Sequence, residues 1–535
     1  MAFLRIPALR FVCSGAAFCA LCVTPTIPPA SGQKPSETPM YRNPILFADY
    51  SDPDVIRVGS DFYLVASTFH FVPGIPILHS RDLVHWSISG HVVDRLTMSP
   101  AYDMEGGFRY GRGIWAPAVR FHNGLFYVYF PTPDEGVFVS TAPKMTGPWS
   151  APEAVLTGPG YEDPCPFWDD DGQAYLVHSK VGAGPLILHR LSADGKKVLD
   201  EGKEIMRDPN NLPTLEGPKM YKRNGWYYIF APYGGVPVGA QAVLRSKNIY
   251  GPYEYRTVLA KGNTDINGPH QGGYIETPDG KGWFAHFQSR GAHGRIVHLE
   301  PVRWVDDWPV MGNAPEGATT GEPVMQYAMP VVLNPQPTDR PQTSDDFNGK
   351  TLSPMWEWNH NPVNERWSLT ERPGFLRLHT ALSADLLHAR NTITECLQDE
   401  SEEVTVRLDL AHLASGDRTG LSIFDVSKSY VAVVQGQSGR RLVFSIKDTE
   451  TAGPEIKSQF VQLRAHVTGD LAMYSYSIDD GATFTPIGSE VKLAFGWWKG
   501  ARPAIFAYNS DAAAKTHGFV DVDWVRYKAL GGRPE

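Results

Sequence analysis

Three acidic residues open similar short segments that lie far apart in the sequence. Asp52 begins Asp-Pro-Asp, Asp163 lies within Glu-Asp-Pro, and Glu216 begins Glu-Gly-Pro. Hydrolysis of a glycosidic bond needs one protonated carboxylic acid for the leaving oxygen and one ionised carboxylate for water or the sugar. A third acid nearby helps because like charges held together keep one of the group protonated near neutral pH. If the fold brings the three carboxyl groups together, they suit glycoside hydrolysis.

Two other segments place a candidate site residue at an equivalent position. Trp115 begins Trp-Ala-Pro, and His270 lies within Pro-His-Gln. Each of the five marker residues is followed, after 11, 12, 12, 11 and 14 residues, by an aromatic residue at the start of a predicted strand. The aligned aromatic residues are Tyr63, Tyr127, Tyr175, Tyr227 and Phe284.

The aligned aromatic residues define a repeat that the fold must use to position the markers. Their successive spacings are 64, 48, 52 and 57 residues. Repeats of roughly 40 to 50 residues built of short strands are typical of a β-propeller. Five repeats predict five blades. If each marker opens the innermost strand of its blade, all five side chains converge on one mouth of the central channel.

The composition agrees with an all-β protein. The 535 residues include 51 Gly and 44 Pro, which separate short aromatic runs and favour many strands joined by tight turns. The net charge is −9 and no cluster of Lys and Arg alternates with aromatic residues, so nucleic acid is excluded as a partner.

The chain divides at a proline-rich stretch. We predict a propeller over residues 41–330, a linker over 331–343, and a second domain over 344–530. The second domain has no repeat. It contains alternating strands such as 404–410, in which every second residue is apolar, and this pattern favours a two-sheet β-sandwich.

The first residues have the pattern of a signal peptide, predicted over 1–32. Two arginines precede an apolar run of thirteen residues, Phe11–Val23, and small residues follow. A membrane span needs roughly 20 apolar residues, so we expect a secreted or periplasmic protein without a membrane anchor. Only Cys165 and Cys396 lie outside the predicted peptide, which leaves no disulfide framework.

Eight segments of the chain form a recognisable set: Tyr41-Arg42-Asn43-Pro44-Ile45-Leu46, Asp52-Pro53-Asp54-Val55-Ile56-Arg57, Ser67-Thr68-Phe69, Pro73-Gly74, Ser80-Arg81-Asp82-Leu83-Val84-His85-Trp86, Gly113-Ile114-Trp115-Ala116-Pro117, Glu162-Asp163-Pro164 and Glu216-Gly217-Pro218. Taken together, they resemble the motifs of glycoside hydrolase family 43, the five-bladed propeller glycosidases. The resemblance covers about residues 41 to 315, and the segment from about 344 resembles the concanavalin-like accessory domain of the β-xylosidase and arabinofuranosidase branches.

The resemblance implies a role for each acid. Asp52 would be the general base, Glu216 the general acid, and Asp163 the residue that holds Glu216 and modulates its pKa. The family inverts the anomeric configuration, which implies a separation of about 6.5 to 9.5 Å between the carboxyl groups of base and acid. Ser51 departs from the Asn or His that usually precedes the first Asp-Pro. Asp54 is a competing base candidate that we place in a supporting role.

The resemblance also implies substrate-binding residues. Phe69 and Trp115 would line the sugar pocket, and Arg295 would approach substrate hydroxyls. His270 would bind substrate beside the acid or lie near a structural calcium ion; no cofactor is required for the chemistry.

These observations predict an exo-acting, inverting glycosidase of plant cell-wall polysaccharides or oligosaccharides. It would release α-L-arabinofuranose or β-D-xylose from arabinoxylan, xylan or arabinan. The sandwich could close one side of the funnel, for which we expect a loop near Phe506 or Tyr508. Retaining fructosidases are disfavoured, because the segments at Asp52 and Asp163 lack their motifs. A non-catalytic carbohydrate-binding propeller and a glycosidase of another sugar specificity are the alternatives.

Overall fold

The computed structural model describes residues 39–332 and 341–531. The predicted signal peptide and most of the predicted linker lie outside the described residues. The described chain contains strands and four short 3-10 turns, at Pro100–Asp103, Gly291–His293, Asn364–Arg366 and Leu386–His388. In this part of the chain no helix is long and apolar enough to cross a membrane.

Consecutive strands form five four-stranded antiparallel sheets in the first part of the chain. The short strand β1 (Met40–Arg42) precedes them. The first sheet contains β2 (Asp54–Val58), β3 (Asp61–Val65), β5 (Gly74–Ser80) and β6 (Ser87–Val93), with β4 (Phe71–Val72) between β3 and β5. The second contains β7 (Ala118–His122), β8 (Leu125–Thr132), β9 (Gly136–Ala142) and β10 (Glu153–Thr157). The third contains β11 (Tyr161–Trp168), β12 (Ala174–Lys180), β13 (Leu186–Leu191) and β14 (Lys203–Met206). The fourth contains β15 (Lys219–Arg223), β16 (Trp226–Tyr233), β17 (Ala240–Ser246) and β18 (Glu254–Leu259). The fifth contains β19 (His270–Glu276), β20 (Gly282–Ser289), β21 (Arg295–Val305) and β22 (Trp308–Met311), and β23 (Gln326–Ala328) then pairs with β1.

The five sheets are the blades of a propeller, which confirms the predicted fold class. Each aligned aromatic residue of the repeat lies in the second strand of its blade. The first strands lie innermost and side by side around the central channel, with β19 beside β2, β2 beside β7, β7 beside β11, and β11 beside β15. The five markers lie in these inner strands or within three residues before them.

The segment between β1 and β2 ties the last blade to the first. The Tyr41 hydroxyl donates to the Leu299 carbonyl at 2.7 Å, and Leu46 forms a bridge with Val297. Tyr50 N donates to the Arg295 carbonyl at 3.1 Å. This closure places the residues just before β2 against the beginning of β21.

The second domain is a two-sheet sandwich, as predicted. Its hydrophobic core lies between the sheets and includes Val404, Val406, Leu408 and Leu410 of the alternating pattern. One sheet has the order β32-β31-β30-β29-β36-β27-β24-β4, and the other β25-β26-β37-β28-β33-β34-β35. The strands are β24 (Glu357–Asn359), β25 (Trp367–Ser368), β26 (Leu376–His379), β27 (Ile393–Thr394), β28 (Ser401–Asp409), β29 (Asp417–Phe424), β30 (Ser429–Gln435), β31 (Arg440–Ile446), β32 (Thr449–Ile456), β33 (Phe460–Thr468), β34 (Leu471–Ser477), β35 (Thr485–Lys492), β36 (Arg502–Asn509) and β37 (Phe519–Ala529).

One strand of the eight-stranded sheet comes from the propeller. Strand β4, which follows the second strand of blade one, pairs antiparallel with β24, so that Val72 faces Trp358 and Phe71 faces Asn359. Neighbouring backbone bonds extend the junction: His360 N donates to the His70 carbonyl at 3.1 Å, and Asn361 N to the Tyr102 carbonyl at 3.0 Å. The two domains therefore share backbone hydrogen bonds as well as side-chain contacts.

Candidate active site

Carboxyl groups of three residues meet at one mouth of the propeller channel. Oxygen atoms of Glu162, Asp163 and Glu216 all lie within 4.8 Å of one another. Glu162 and Asp163 are buried, whereas the Glu216 side chain is 21% exposed. The fold thus brings Asp163 and Glu216 together, and it adds Glu162, which was not singled out as a site residue.

Irregular backbone explains why two successive residues of β11 reach the same site. Side chains of a regular strand alternate between faces. The pairing of β11 with β12 shifts between Glu162 and Cys165, and Asp163 has a left-handed φ of 55°. A β-bulge of this kind re-aims side chains. A left-handed φ at a residue with a Cβ costs of order 1–3 kcal/mol and is concentrated at functional sites; Asp52, with φ 54°, shares this conformation.

Asp163 is held by three hydrogen bonds. Its Oδ2 accepts from Gly217 N at 2.8 Å and from the Ser179 hydroxyl at 3.1 Å, and its Oδ1 accepts from Gln271 Nε2 at 3.0 Å. Burial and the adjacent charge of Glu216 raise the pKa of Asp163 to about 6, while Lys219 acts in the opposite direction. Asp163 is therefore bonded directly to the backbone that follows Glu216.

Glu162 is the most strongly shifted of the clustered acids. Its Oε1 accepts from Ala183 N at 3.1 Å and from the Ser179 hydroxyl at 3.3 Å. Burial, followed by the charges of Asp163 and Glu216, raises its pKa to about 9. Burial and the neighbouring carboxyl groups thus favour the protonated form of Glu162. The only sequence signal for Glu162 was its position directly before Asp163. On a regular strand, neighbouring side chains point to opposite faces, so this position would argue against a shared site.

Glu216 is paired with His270 across two blades. The Glu216 Oε1 and the His270 Nε2 atoms are 2.7 Å apart, and the imidazole is buried. Backbone also fixes the start of this segment, because Glu216 N donates to the Pro232 carbonyl at 3.1 Å. The structure therefore places His270 beside the predicted acid.

Glu162, Asp163, Glu216 and His270 are the candidate metal ligands of this site. His270 Nδ1 is buried without a hydrogen-bond partner, but one imidazole nitrogen does not make a calcium site, since Ca²⁺ takes six to eight oxygen ligands. Glu162, Asp163 and Glu216 offer carboxyl oxygens within 4.8 Å of one another as possible cation ligands, while both Asp163 oxygens also accept hydrogen bonds.

Asp52 lies at the same mouth, on the first blade. Its Oδ2 accepts from the Ser67 hydroxyl at 2.6 Å, and its Oδ1 accepts from Arg295 Nη1 at 2.7 Å. The two bonds fix the orientation of this carboxyl group. Its negative charge also contributes to the raised pKa of Asp163. Ser51, the departure from the family motif, donates instead to Asp49 Oδ1 at 3.1 Å.

Asp54 has a structural role on strand β2. It is fully buried, and its Oδ2 accepts from Val119 N at 2.9 Å and from Arg120 Nη1 at 2.7 Å. These bonds tie blade one to blade two.

Three aromatic rings form a group that reaches Arg295, the partner of Asp52. The ring centroids of Phe69 and Trp115 are 6.4 Å apart, and Trp115 in turn packs edge-on against Trp498 at 6.2 Å. Phe69 is buried with φ 55°, and its backbone pairs in both directions with Ile114. These contacts place Phe69 and Trp115 side by side, with Trp498 of the sandwich next to them.

The sandwich reaches the site through residues 495–500, the loop before β36. The Arg295 guanidinium lies 4.8 Å from the Phe287 ring centroid, and 5.8 and 5.9 Å from those of Phe495 and Trp498. Lys499 anchors the loop, because its Nζ lies 3.1 Å from Asp49 Oδ2 and both side chains are buried.

The expectation that a loop near Phe506 or Tyr508 closes the funnel is wrong. Phe506 and Tyr508 lie in strand β36, not in a loop, and are buried in a hydrophobic cluster that includes Phe71 and Tyr430. They belong to the sandwich and its junction with the propeller, and the contact with the funnel is made by residues 495–500. The adjacent pair Trp497-Trp498, within Gly-Trp-Trp-Lys-Gly, was the available signal for this loop.

The fold and the site together define a class of protein. A five-bladed propeller whose funnel holds several carboxyl groups beside aromatic rings is the arrangement of a propeller-type glycoside hydrolase. The sequence profile described as Glycosyl hydrolases family 43 matches residues 41–309, and the one described as Beta xylosidase C-terminal Concanavalin A-like domain matches residues 344–528. The chain belongs to glycoside hydrolase family 43, and it is a glycosidase.

Similar proteins agree with this assignment along most of the chain. A putative beta-xylosidase of Xylanibacter ruminicola is 43% identical over 466 residues, which cover 86% of this chain and 85% of the relative. A non-reducing end alpha-L-arabinofuranosidase of Bacteroides ovatus is 34% identical over 63% of this chain and 64% of its own. An engineered GH43 glycoside hydrolase with endo-xylanase and exo-arabinofuranosidase activity superposes with a TM-score of 0.82 at 29% identity, covering 92% of this chain and all of that one.

Proposed function

We propose that this protein is an exo-acting, inverting glycosidase that releases β-D-xylose from the non-reducing ends of xylan-type oligosaccharides. The observation that carries the proposal is that two carboxyl groups with different surroundings lie at the same mouth of the channel. Asp52 accepts hydrogen bonds from Arg295 and Ser67, as suits a base. Glu216 lies within an acid cluster and beside His270, as suits an acid.

In the proposed reaction the two acids act on opposite faces of the sugar. Asp52 takes a proton from water as the water oxygen bonds to the anomeric carbon. The bond from that carbon to the leaving oxygen breaks, and Glu216 donates its proton to this oxygen. Asp163 positions Glu216 through its hydrogen bond from Gly217 N. Arg295 both orients Asp52 and offers its other nitrogens to sugar hydroxyls.

The sandwich loop supports exo action. Residues 495–500 add Phe495 and Trp498 to one side of the funnel, and a buried ion pair holds them there. A funnel narrowed on one side suits a terminal sugar better than the middle of a chain. The beta-xylosidase name of the Xylanibacter ruminicola relative favours xylose as that sugar.

A second candidate is release of α-L-arabinofuranose. The Bacteroides ovatus relative, named as a non-reducing end alpha-L-arabinofuranosidase, favours it. The two sugars differ in ring size, which pocket contacts discriminate.

The test compares nitrophenyl β-D-xylopyranoside with nitrophenyl α-L-arabinofuranoside. We expect wild type to cleave the xyloside faster, and Glu216→Gln and Asp52→Asn to lower kcat by about 10²- to 10⁴-fold. Proton NMR of xylobiose hydrolysis should show α-xylose appearing first. Faster cleavage of the arabinofuranoside would favour the second candidate. If β-xylose appeared first, inversion would be refuted. Binding without turnover would indicate a carbohydrate-binding propeller.

We also propose export through residues 1–32. The support is the sequence pattern of two arginines followed by an apolar run. Mass spectrometry of the N-terminus of the protein expressed in its host should find cleavage near residue 32, and an intact N-terminus in the cytoplasm would refute export.

A further inference from the structure

A second cavity lies at the opposite end of the propeller channel from the acids. All five inner strands contribute to it through residues that follow the markers, such as Arg57, Phe121, Phe167, Lys222 and Glu276. Its volume is about 620 Å³, within the range of small-molecule sites. None of the residues assigned to catalysis lines it. We call it the rear cavity.

Aromatic rings form part of the rear cavity. The Phe121 ring is 44% exposed, although phenylalanine is ordinarily buried. His122, the next residue along β7, stacks on Trp168 with a centroid distance of 4.5 Å and an interplanar angle of 11°. An exposed apolar ring and a flat stacked pair both offer surfaces for the C–H faces of a sugar.

Ordered polar groups form another part of the wall. Trp304 Nε1 donates to the Tyr274 hydroxyl at 2.9 Å, and this hydroxyl donates to Glu276 Oε1 at 2.7 Å. Arg223 Nη1 donates to the same oxygen at 2.8 Å, and its guanidinium lies over the Trp304 ring at 4.8 Å. The Arg223 Nε atom is buried and has no hydrogen-bond partner. These bonds fix the positions of the polar groups in the wall before any ligand binds.

The charges of the rear cavity balance. Of its cations, Arg120 pairs with Asp54, Lys222 with Asp169 and Asp170, and Arg223 with Glu276. Arg57 donates to backbone carbonyl groups. Counted with these partners, four cations are balanced by four carboxylates, of which Asp170 and Glu276 line the cavity and Asp54 and Asp169 lie behind its lining, so the cavity does not select for an anion. Aromatic faces, fixed hydrogen-bonding groups and no net charge together match an uncharged, hydroxyl-rich ligand.

We propose that the rear cavity is a second, non-catalytic carbohydrate site that binds a neutral pentose oligosaccharide. The choice of sugar rests on the proposed function; the choice of an uncharged carbohydrate rests on the cavity alone. Because this mouth lies opposite the acids, a chain bound here is held on the enzyme without occupying the active site.

The test is calorimetric titration of the full chain carrying Glu216→Gln with xylotetraose, alongside inorganic phosphate as an anionic probe. We expect two xylotetraose sites and no phosphate binding. Adding Phe121→Ala should weaken one site at least tenfold and leave the other unchanged. Tyr327→Ala, which removes an exposed ring outside the cavity, is the matched control and should leave both sites unchanged.

Activity measurements distinguish an error in the rear-site proposal from an error in the proposed function. Phe121→Ala alone should hydrolyse nitrophenyl xyloside like wild type, which also shows that it is folded. Three results would each overturn the rear site. The first is a single xylotetraose site in an enzyme that turns over the xyloside, and the second is a second site that is insensitive to Phe121→Ala. The third is phosphate binding that is lost in Phe121→Ala. Absence of both turnover and xylotetraose binding would overturn the proposed sugar itself.

Discussion

At the scale of single residues, the site depends on acids whose surroundings differ although their chemistry is the same. Asp52 accepts from a guanidinium and a hydroxyl, whereas Glu162 is buried beside two other carboxyl groups. Strained backbone at Asp52 and Asp163 is the local cost of aiming these side chains into one funnel.

Glu162 should make the stability of the protein depend on pH. Its pKa is about 9 in the folded state and close to 4.5 in the unfolded chain, so between these values the folded state binds the extra proton and stability falls as pH rises. Glu162→Gln removes this loss. We expect it to raise the Tm at pH 8 by about 2 to 4 °C relative to its effect at pH 4.

Calorimetry at the two pH values checks this prediction. The exposed Glu201→Gln serves as the control and should shift the Tm equally at both. A Glu162→Gln effect that does not change with pH would mean that Glu162 is ionised in the folded protein at pH 8.

At the scale of elements, the loop 495–500 carries both an anchor and a binding surface. The buried Lys499 holds Asp49, while Trp498 is 49% exposed beside Trp115 and Arg295. The two functions can therefore be separated by mutation.

Trp498→Ala should impair substrate binding without affecting stability. An exposed side chain contributes within about 0.5 kcal/mol to folding, whereas an aromatic contact with substrate is worth about 0.5–1.5 kcal/mol. We expect KM to rise about three- to tenfold with the Tm unchanged. Steady-state kinetics and thermal unfolding check this, with the exposed Ile478→Ala as a control; an unchanged KM would place the loop outside the sugar pocket.

Lys499→Met, by contrast, should lower the free energy of unfolding. Removing one partner of a buried pair leaves an uncompensated charge on Asp49, which costs about 3–5 kcal/mol. Denaturant unfolding should show this loss, and Lys499→Met combined with Asp49→Asn should recover part of it. Equal stability of Lys499→Met and wild type would show that the pair contributes nothing.

At the scale of the whole molecule, the propeller and the sandwich are joined by shared structure. Strand β4 completes the eight-stranded sheet, and the 495–500 loop borders the funnel. We expect the full chain to unfold in a single calorimetric transition, because melting the sandwich removes the partner of β4. Two separate transitions, with activity retained after the first, would contradict this.

Much of the architecture could be predicted from local patterns. The aromatic repeat predicted the second strand of every blade, and the period-two pattern around Val406 predicted a sandwich strand, because both are properties of neighbouring residues. The Asp-Pro and Glu-Gly-Pro segments indicated which acids to examine, since their equivalent places in the repeat lead to one channel mouth.

The remaining features depend on residues that only folding brings together. The bulge at Asp163 places Glu162 in the acid cluster, although the alternation of side chains along a regular strand would point it to the other face. Arg295 meets Asp52 because the chain closes the propeller ring across 243 residues. The loop at Trp498 reaches the funnel because β4 pairs with β24 and orients the sandwich. The sequence by itself therefore determined the repeat, the fold class and the candidate acids. Long-range pairing and backbone strain, which have no local sequence signal, decided the partners of these acids and the wall of the pocket.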